Sequence, residues 1–292
     1  MKLKVRKFDP STMKPGRITV LIGARGRGKS VCLRDLMYHQ KDKVDFGIAM
    51  TPTEESIQHF KKCMPDSWIY RQYQHDKIED LINVQRKTLK SGKTPKHIFL
   101  VLDDCMYDKK ILKTQAMRDV FMNGRHLKIS LFIAAQYLMD LGPDLRTQID
   151  YVVSAREFII TNKAKLWKYF YGMFDKFDDF GRVMDKCTEN FGVIIMDNTS
   201  TSSNLEDCVF WYRADVNLPE YKMGKDIYWK LSEQFSKSER QREMEDLQRE
   251  ELEKSKSQIR KVREPLIVQV TDENGNPISQ VCQSVPKARI NL

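Results

Sequence analysis

The chain of 292 residues lacks any hydrophobic run long enough to cross a membrane. Its longest uninterrupted apolar segments, 98–102 and 131–135, fall far short of the roughly 20 residues that a spanning helix needs. The six cysteines and five histidines are scattered, without a C-x-x-C pair, which argues against a disulfide framework or a structural zinc site. The start, MKLKVRKFDP, has no apolar stretch behind it and does not read as a secretory signal. We therefore expect a soluble protein of a reducing compartment, with no membrane span.

A basic surface is also missing, although the formal net charge is +10. The first 34 residues hold ten Lys/Arg and a single acid, Asp9, whereas the remaining 258 residues hold 40 basic and 39 acidic groups. The excess charge therefore belongs to an N-terminal arm and the first loop. Such an arm attracts polyanions, but three of its cations, Arg25, Arg27 and Lys29, are equally suited to a phosphate ligand.

What the sequence does contain is an alternation of short β-like runs and helix-like stretches over its first two thirds. The hydrophobic fraction of 41% is sufficient for a substantial core. The predicted strands are 17–22, 46–50, 68–71, 98–102, 129–135 and 151–153. The predicted helices are 30–39, 53–63, 76–90, 112–124 and 166–174. This order favours an α/β fold with a mostly parallel central sheet flanked by helices, in which the apolar runs 98–102 and 129–135 are central strands.

The last third has a different texture. Two further strands are predicted at 191–196 and 207–213, around the polar loop DNTSTSSN. From residue 230 to 264 the chain is highly charged with few apolar positions, which indicates a solvated helix. The segment IVQVTDENGNPISQV then predicts a β-hairpin around an Asn-Gly turn. We therefore divide the chain into a domain over 1–228, a charged helical extension over 229–264 and a small C-terminal β tail over 265–292.

The strongest motif is GARGRGKS, residues 23–30, which satisfies the Walker A or P-loop pattern G-x-x-x-x-G-K-[ST] directly after a predicted strand. Glycines let successive backbone N–H groups turn around phosphate oxygens, and the following helix adds its positive end. The predicted nucleotide-binding residues are Gly23, Gly26, Gly28, Lys29 and Ser30. Lys29 is expected to reach the β- and γ-phosphates, and the Ser30 hydroxyl to ligate Mg²⁺.

The second motif is IFLVLDD, residues 98–104, an apolar run that ends in two carboxylates like a Walker B strand. At the carboxyl end of a buried strand, Asp103 is expected to hold Mg²⁺ and Asp104 to orient or deprotonate the attacking water. A strand that ends in a solvated acidic turn has the same sequence, and the upstream P-loop favours the functional interpretation.

Two further residues complete the predicted catalytic set. Gln136 ends the next apolar run, where its amide can sense the γ-phosphate, although a Gln that merely starts a polar loop is an equal alternative. Arg125, just before that run, can stabilise transition-state charge on a neighbouring subunit's nucleotide if subunits form a ring, or can simply cap a helix end. Arg146 and Arg156 are the fallback candidates for this trans-acting role.

Together, GARGRGKS, IFLVLDDC and GRHLKISLFIAAQ resemble the FtsK/HerA class of P-loop translocases. The stretch FGVIIMDNTSTSSNLEDCVFWYRAD is similar to genome-packaging ATPases of large nucleocytoplasmic DNA viruses, of the poxvirus and giant-virus type. Over residues 15–228, the resemblance implies an ATP- and Mg²⁺-dependent motor that works as a homo-oligomeric ring and moves double-stranded DNA into a capsid, with a capsid or portal protein as partner. It also implies a virion or viral factory as location. The class usually has Glu where Asp104 stands, one methylene longer.

The DNA-contacting surface and the rival functions stay open at this point. The segment QRKTLKSGKTPK, residues 85–96, carries five cations without an acid and precedes a central strand, as expected of either a phosphate-tracking loop or a solvated loop. Lys109, Lys110 and Lys113 are an alternative patch. The rival functions are a P-loop kinase of small molecules and a nucleotide-gated scaffold protein that binds ATP without turnover.

Overall fold

Alternating strands and helices build a nine-stranded sheet with helices on both faces. The computed structural model describes residues 3–105, 111–137, 141–235, 241, 244–245, 247–252, 254–255, 267–271 and 277–282. Contacts between residues divide the chain into two compact units, Met1–Ser236 and Lys237–Leu292. In the described residues, no helix is both long and apolar enough to span a bilayer.

The strands of the sheet follow the predicted order with small shifts at their ends. They are β1 Arg6–Lys7, β2 Ile18–Ile22, β3 Phe46–Met50, β4 Ile69–Tyr70, β5 Ile98–Asp103, β6 Ile129–Ala135, β7 Tyr151–Ser154, β8 Val193–Asp197 and β9 Val209–Tyr212. Their spatial order is β1-β9-β8-β7-β2-β6-β5-β3-β4. Strand β8 is antiparallel to both of its neighbours, and every other pairing is parallel. The predicted mostly parallel α/β fold is therefore confirmed.

The direction of the strands defines two opposite edges of the sheet. Strands β2, β5, β6 and β7 all end at the same side, which we call the carboxyl edge, and begin at the opposite side, the amino edge. Because β8 runs the other way, the chain enters β8 at the carboxyl edge, where Ile194 pairs with Ser154 at the end of β7. Loops from both parallel and antiparallel strands therefore meet at one edge.

Helices cover the sheet on both sides. They are α1 Lys29–Tyr38, α2 Glu54–Lys61, α3 His75–Lys90, α4 Gln115–Asn123, α5 Pro143–Arg146, α6 Ile160–Phe170, α7 Phe177–Cys187, α8 Leu205–Cys208 and α9 Asp226–Phe235. Apolar residues of α1 and α2 pack on one face, and those of α3, α4, α6 and α7 pack on the other. Strands β5 and β6 are buried along their whole length, which explains their continuous apolar sequence.

The helix predicted at 166–174 was wrong at both ends, because α6 begins at Ile160 and ends at Phe170, and residues 171–176 connect it to α7. The separating turn is fixed by Tyr171, which is fully buried and whose hydroxyl donates to the Ser154 hydroxyl at 2.9 Å. The indole of Trp167 donates across the turn to the Phe174 carbonyl at 2.8 Å. The Tyr171 contact reaches strand β7, which no local sequence pattern indicates.

The first unit extends past residue 228, the predicted boundary, through helix α9. Tyr228 lies against Phe46 with ring centroids 4.8 Å apart, and Trp229 lies against Trp68 at 6.2 Å. The Trp229 indole also donates to the Met223 carbonyl at 2.9 Å. Aromatic contacts therefore hold the first turn of the charged segment on the sheet domain.

In the second unit, residues 247–252 are helical, and β10 Ile267–Thr271 pairs antiparallel with β11 Pro277–Cys282. The predicted C-terminal hairpin is confirmed by this pairing. Its Asn-Gly turn and most of the predicted helix from 230 to 264 lie outside the described residues.

The basic N-terminal arm is partly neutralised by contacts in the first unit. Arg6 in β1 forms an ion pair with Asp207 at 2.8 Å and donates to the Glu206 carbonyl, and Arg17 pairs with Asp150 at 2.8 Å. Part of the charge excess therefore holds the edge strand in place.

Candidate nucleotide site at the carboxyl edge

The P-loop connects β2 to α1 at the carboxyl edge of the sheet. Gly26 and Gly28 have φ angles of 73° and 81°, in the left-handed region that residues with a Cβ rarely adopt. Gly23 is needed for a different reason, since a Cβ there would lie 2.7 Å from the Cβ of Ala155. Helix α1 begins with no side-chain cap and no acid in its first turn. Its positive end is therefore available to an anion, as predicted.

Lys29 lies inside this loop and is only 7% exposed. Its ammonium donates to the Ala24 carbonyl at 3.3 Å. Burial lowers the pKa of Lys29, and the nearby carboxylates of Asp104 and Asp103 act in the opposite direction. The cation of the first motif and the acids of the second are therefore electrostatically coupled within one site.

Asp103 is the last residue of β5 and is 1% exposed. The Ser56 hydroxyl donates to its Oδ2 at 2.6 Å, whereas its buried Oδ1 has no hydrogen-bond partner among the described residues. Burial raises the pKa of Asp103; the Ser56 bond acts against that rise and the charge of Asp104 adds to it. A buried carboxylate oxygen left without a protein donor is suited to a hard cation such as Mg²⁺.

Asp104 follows immediately and has a strained backbone. Its φ is 52°, and its N–H donates to the Ala134 carbonyl at 2.9 Å. The left-handed conformation is sparsely populated by residues with a Cβ and is often found at active sites. The two successive acids therefore differ in exposure to solvent. Asp103 is buried, and Asp104 is half-buried at the surface of the site.

Gln136 is brought to the same edge. Strand β6 lies between β2 and β5, with Ala135 paired to Ile22 on one side and Ala134 paired to Asp103 on the other. Gln136 follows Ala135 directly and is exposed. The three predicted segments therefore end on adjacent strands, and the glutamine lies between the P-loop and the two acids.

Arg125 is not brought to this site within the chain. It lies at the amino edge, and its Nη2 donates to Asp150 Oδ1 at 3.0 Å. Arg146, in α5, also precedes β7 and stacks 4.1 Å over the ring of Tyr169. Arg156 directly follows β7 and is the fallback arginine that lies at the carboxyl edge, with its guanidinium 5.1 Å from the centre of the Phe158 ring.

Two residues of this region had no sequence signal that pointed to them. Ser56 sits in the first turn of α2 and was predicted only as part of a helix. Phe191 lies just before β8, and its ring lies beside the P-loop at Gly28, where a Cβ added to the glycine would be 3.7 Å from its Cδ1. Ser56 and Phe191 each lie close to a residue far away in the sequence, and the pattern of strands and helices does not indicate such pairs.

Known proteins resemble the chain over most of its length. The uncharacterized protein L437 of Acanthamoeba polyphaga mimivirus is 31% identical over 258 residues, 80% of this chain and 90% of the relative. The uncharacterized protein 015R of Frog virus 3 is 32% identical over 219 residues, 74% of this chain and 68% of the relative.

A solved structure shares the fold. It is that of B204, the DNA-packaging ATPase from Sulfolobus turreted icosahedral virus, which is 20% identical and superimposes with a TM-score of 0.50 over 70% of this chain and all of B204. The family described as poxvirus A32 protein matches residues 7–238, and the poxvirus and giant-virus resemblance predicted from the sequence is thereby confirmed. Because this family match covers most of the chain, the chain belongs to the poxvirus A32 protein family.

Proposed function

We propose that the protein hydrolyses ATP with Mg²⁺ and uses the energy to move double-stranded DNA into a viral capsid. The observation that carries the ATPase part is that the P-loop after β2 and the acids Asp103 and Asp104 at the end of β5 lie at the same edge of the sheet, on either side of β6. A phosphate cradle next to a partly unpartnered buried carboxylate suits hydrolysis of a Mg²⁺-bound triphosphate.

Each predicted site residue receives one role in this proposal. The loop amides around Gly23, Gly26 and Gly28 hold phosphate oxygens, and the Lys29 ammonium neutralises the charge that develops on the γ-phosphoryl group. The Ser30 hydroxyl and Asp103 would hold Mg²⁺, which supplies further charge neutralisation when bound.

Asp104 orients the attacking water and accepts its proton. Its side chain is shorter than that of the usual Glu, and its left-handed backbone conformation sets the direction in which the side chain leaves the strand. Gln136, on the strand between, hydrogen-bonds the same water or the γ-phosphate. Preorganised groups of this kind contribute most of the barrier reduction in phosphoryl transfer.

The DNA part of the proposal draws on the family and on the similarity to B204, which is a DNA-packaging ATPase. It is also supported by a lysine-rich segment at the amino edge, in which Lys87, Lys90, Lys93 and Lys96 are exposed. Exposed cations without base-reading groups suit contact with the phosphate backbone. A capsid or portal partner and a place in the virion or viral factory follow from the same proposal.

We further propose a homo-oligomeric ring in which Arg125 reaches a neighbour's nucleotide. Its side chain is 64% exposed and uses only Nη2 for the ion pair with Asp150, so its other N–H groups are available. Mixing Arg125→Ala with Lys29→Ala subunits is expected to restore some hydrolysis, because each variant supplies what the other lacks. Mixtures no more active than the separate variants would contradict this role.

The proposed function is tested by measuring ATP hydrolysis by the purified full chain with and without double-stranded DNA. We expect Mg²⁺-dependent hydrolysis that DNA accelerates severalfold, and none in the Lys29→Ala variant. A matched control is Lys93→Ala, an exposed lysine in the amino-edge loop, which is expected to keep basal hydrolysis. Hydrolysis that DNA does not change would contradict the motor, and acceleration by a small phosphate acceptor would favour a kinase.

A further inference from the structure

The P-loop has two flanks along the sheet, and they differ in chemistry. On the β6 and β5 side lie Gln136, Asp103 and Asp104, which suit the γ-phosphate end of the ligand. On the β7 and β8 side lie aromatic residues, Phe158 after β7 and Phe191 before β8. If the γ end of the triphosphate faces the acids, the nucleoside end must leave the P-loop towards this aromatic side.

Phe191 is held at the point where that nucleoside would leave. Its side chain lies beside Gly28, where a Cβ added to the glycine would be 3.7 Å from Cδ1 and 3.8 Å from Cβ of the phenylalanine. Even so, Phe191 is 69% exposed. A large apolar side chain beside the P-loop therefore presents most of its surface to solvent.

The backbone that presents this ring is unusual. Asn190 and Phe191 both have positive φ, at 51° and 61°, which is rare for a bulky side chain. The turn is held by Gly192, whose N–H donates to the Glu189 carbonyl at 2.9 Å, and by Arg213, which donates to the same carbonyl at 3.3 Å. These hydrogen bonds hold the backbone turn from which the ring projects.

Phe158 is less suited to receive a base, although it is also exposed. The Arg27 guanidinium lies 4.7 Å and the Arg156 guanidinium 5.1 Å from the centre of its ring. In contrast, no aromatic ring or cation stacks on Phe191 among the residues that the structure describes. Phe191, the unstacked ring, is the one that lies beside the P-loop backbone at Gly28.

We propose that Phe191 is a positioning residue that stacks on the base of the bound nucleotide. This inference rests on the proposed nucleotide site and adds the platform for the nucleoside end. A phenyl face makes no hydrogen bond to a base edge, so the platform itself holds adenine and guanine alike, and the phosphates supply most of the affinity.

The test is equilibrium binding of the full chain, measured by calorimetry without Mg²⁺ so that turnover does not interfere. We expect Phe191→Ala to weaken ATP and GTP binding about tenfold, the loss typical of one base–aromatic stack. Inorganic tripolyphosphate, which has no base, is expected to bind both proteins equally. Phe191→Trp is expected to retain or exceed the wild-type affinity for ATP.

Two variants separate stacking from folding effects. Phe191→Gly removes the ring but suits the left-handed backbone, so its melting temperature is expected to equal or exceed that of the wild type while ATP binding weakens. Leu89→Ala removes an exposed apolar side chain from the far end of α3 and is expected to leave ATP binding unchanged.

Unchanged ATP affinity in Phe191→Ala, or an equal loss of tripolyphosphate affinity, would overturn the stacking role. A wild-type chain that binds ATP but never hydrolyses it would instead count against the proposed function, because the stacking experiment measures binding alone.

Discussion

The two edges of the sheet each contain a buried aspartate, and the two aspartates differ in the number of hydrogen bonds that they accept. At the amino edge, Asp150 is 6% exposed and receives three donors: Arg17 at 2.8 Å, the Ile18 N–H at 2.9 Å and Arg125 at 3.0 Å. At the carboxyl edge, Asp103 is more deeply buried but receives one hydrogen bond and keeps an unpartnered oxygen.

This difference separates a structural carboxylate from a functional one. Burial of a charge is costly unless hydrogen bonds and opposite charges compensate it, as they do around Asp150. Around Asp103 the compensation is incomplete, and a second carboxylate follows it on a strained backbone. Asp150 thus stabilises the fold, whereas Asp103 keeps polar capacity for a ligand.

The largest effect, on ATP hydrolysis, is expected for Asp104→Asn. The amide has nearly the same shape but cannot accept a proton from water, so ATP hydrolysis should fall by about two to four orders of magnitude. Binding of ATP and the melting temperature should stay near wild-type values. The measurements are steady-state phosphate release, nucleotide binding and thermal unfolding.

Asp119→Asn provides a control, since this acid pairs with Arg86 away from the site. It is expected to hydrolyse ATP normally. Normal turnover in Asp104→Asn would show that another group activates the water.

The next largest effect is on stability and arises at the other edge. Asp150→Ala leaves Arg17, whose side chain is only 18% exposed, without its buried partner, and is expected to lower the free energy of unfolding by about 3–5 kcal/mol. Chemical denaturation measures this loss. A change below about 1 kcal/mol would mean that the cluster is too well hydrated to be structural.

The smallest effect is a pH dependence that Asp103→Asn should reveal in metal-free buffer. Burial raises the pKa of Asp103 above its ordinary value of 3.8, so the native state holds this proton more tightly than the unfolded state. The contribution of Asp103 to stability therefore falls as pH rises from about 3.8 through its raised pKa.

Since Asn does not titrate, its stability relative to the wild type should increase across that window and stay constant above it. Denaturation curves for both proteins from pH 3.5 to about 8 test this sign. A variant that becomes relatively less stable as pH rises would show that Asp103 is well compensated, and the comparison with Asp150 would then fail.

The sequence predicted the fold well wherever burial alone determines the pattern. The bounds of β3 and β6 agree with the predicted segments 46–50 and 129–135, because apolar runs buried on both faces stand out between polar loops. The P-loop and the acids after β5 were also placed correctly on one edge, since parallel strands end together.

What the sequence could not predict depends on contacts between distant segments. The division into α6 and α7 follows from the burial of Tyr171, and the pairing of Arg125 with Asp150 joins residues 25 positions apart. Phe191 reaches the P-loop only because β8 reverses the chain direction. The assigned roles of Asp104, Gln136 and Arg125 stay predictions, since geometry alone does not measure them.

The placement of β6 between β2 and β5 determines the distance between the P-loop and the two acids. Neighbouring strands lie about 4.8 Å apart, so the loop after β2 and the acids after β5 are separated by about 10 Å. Gln136 stands midway across this gap. Because all three strands lie inside the sheet, the distance between the P-loop and the acids is set by the hydrogen-bonded strands themselves.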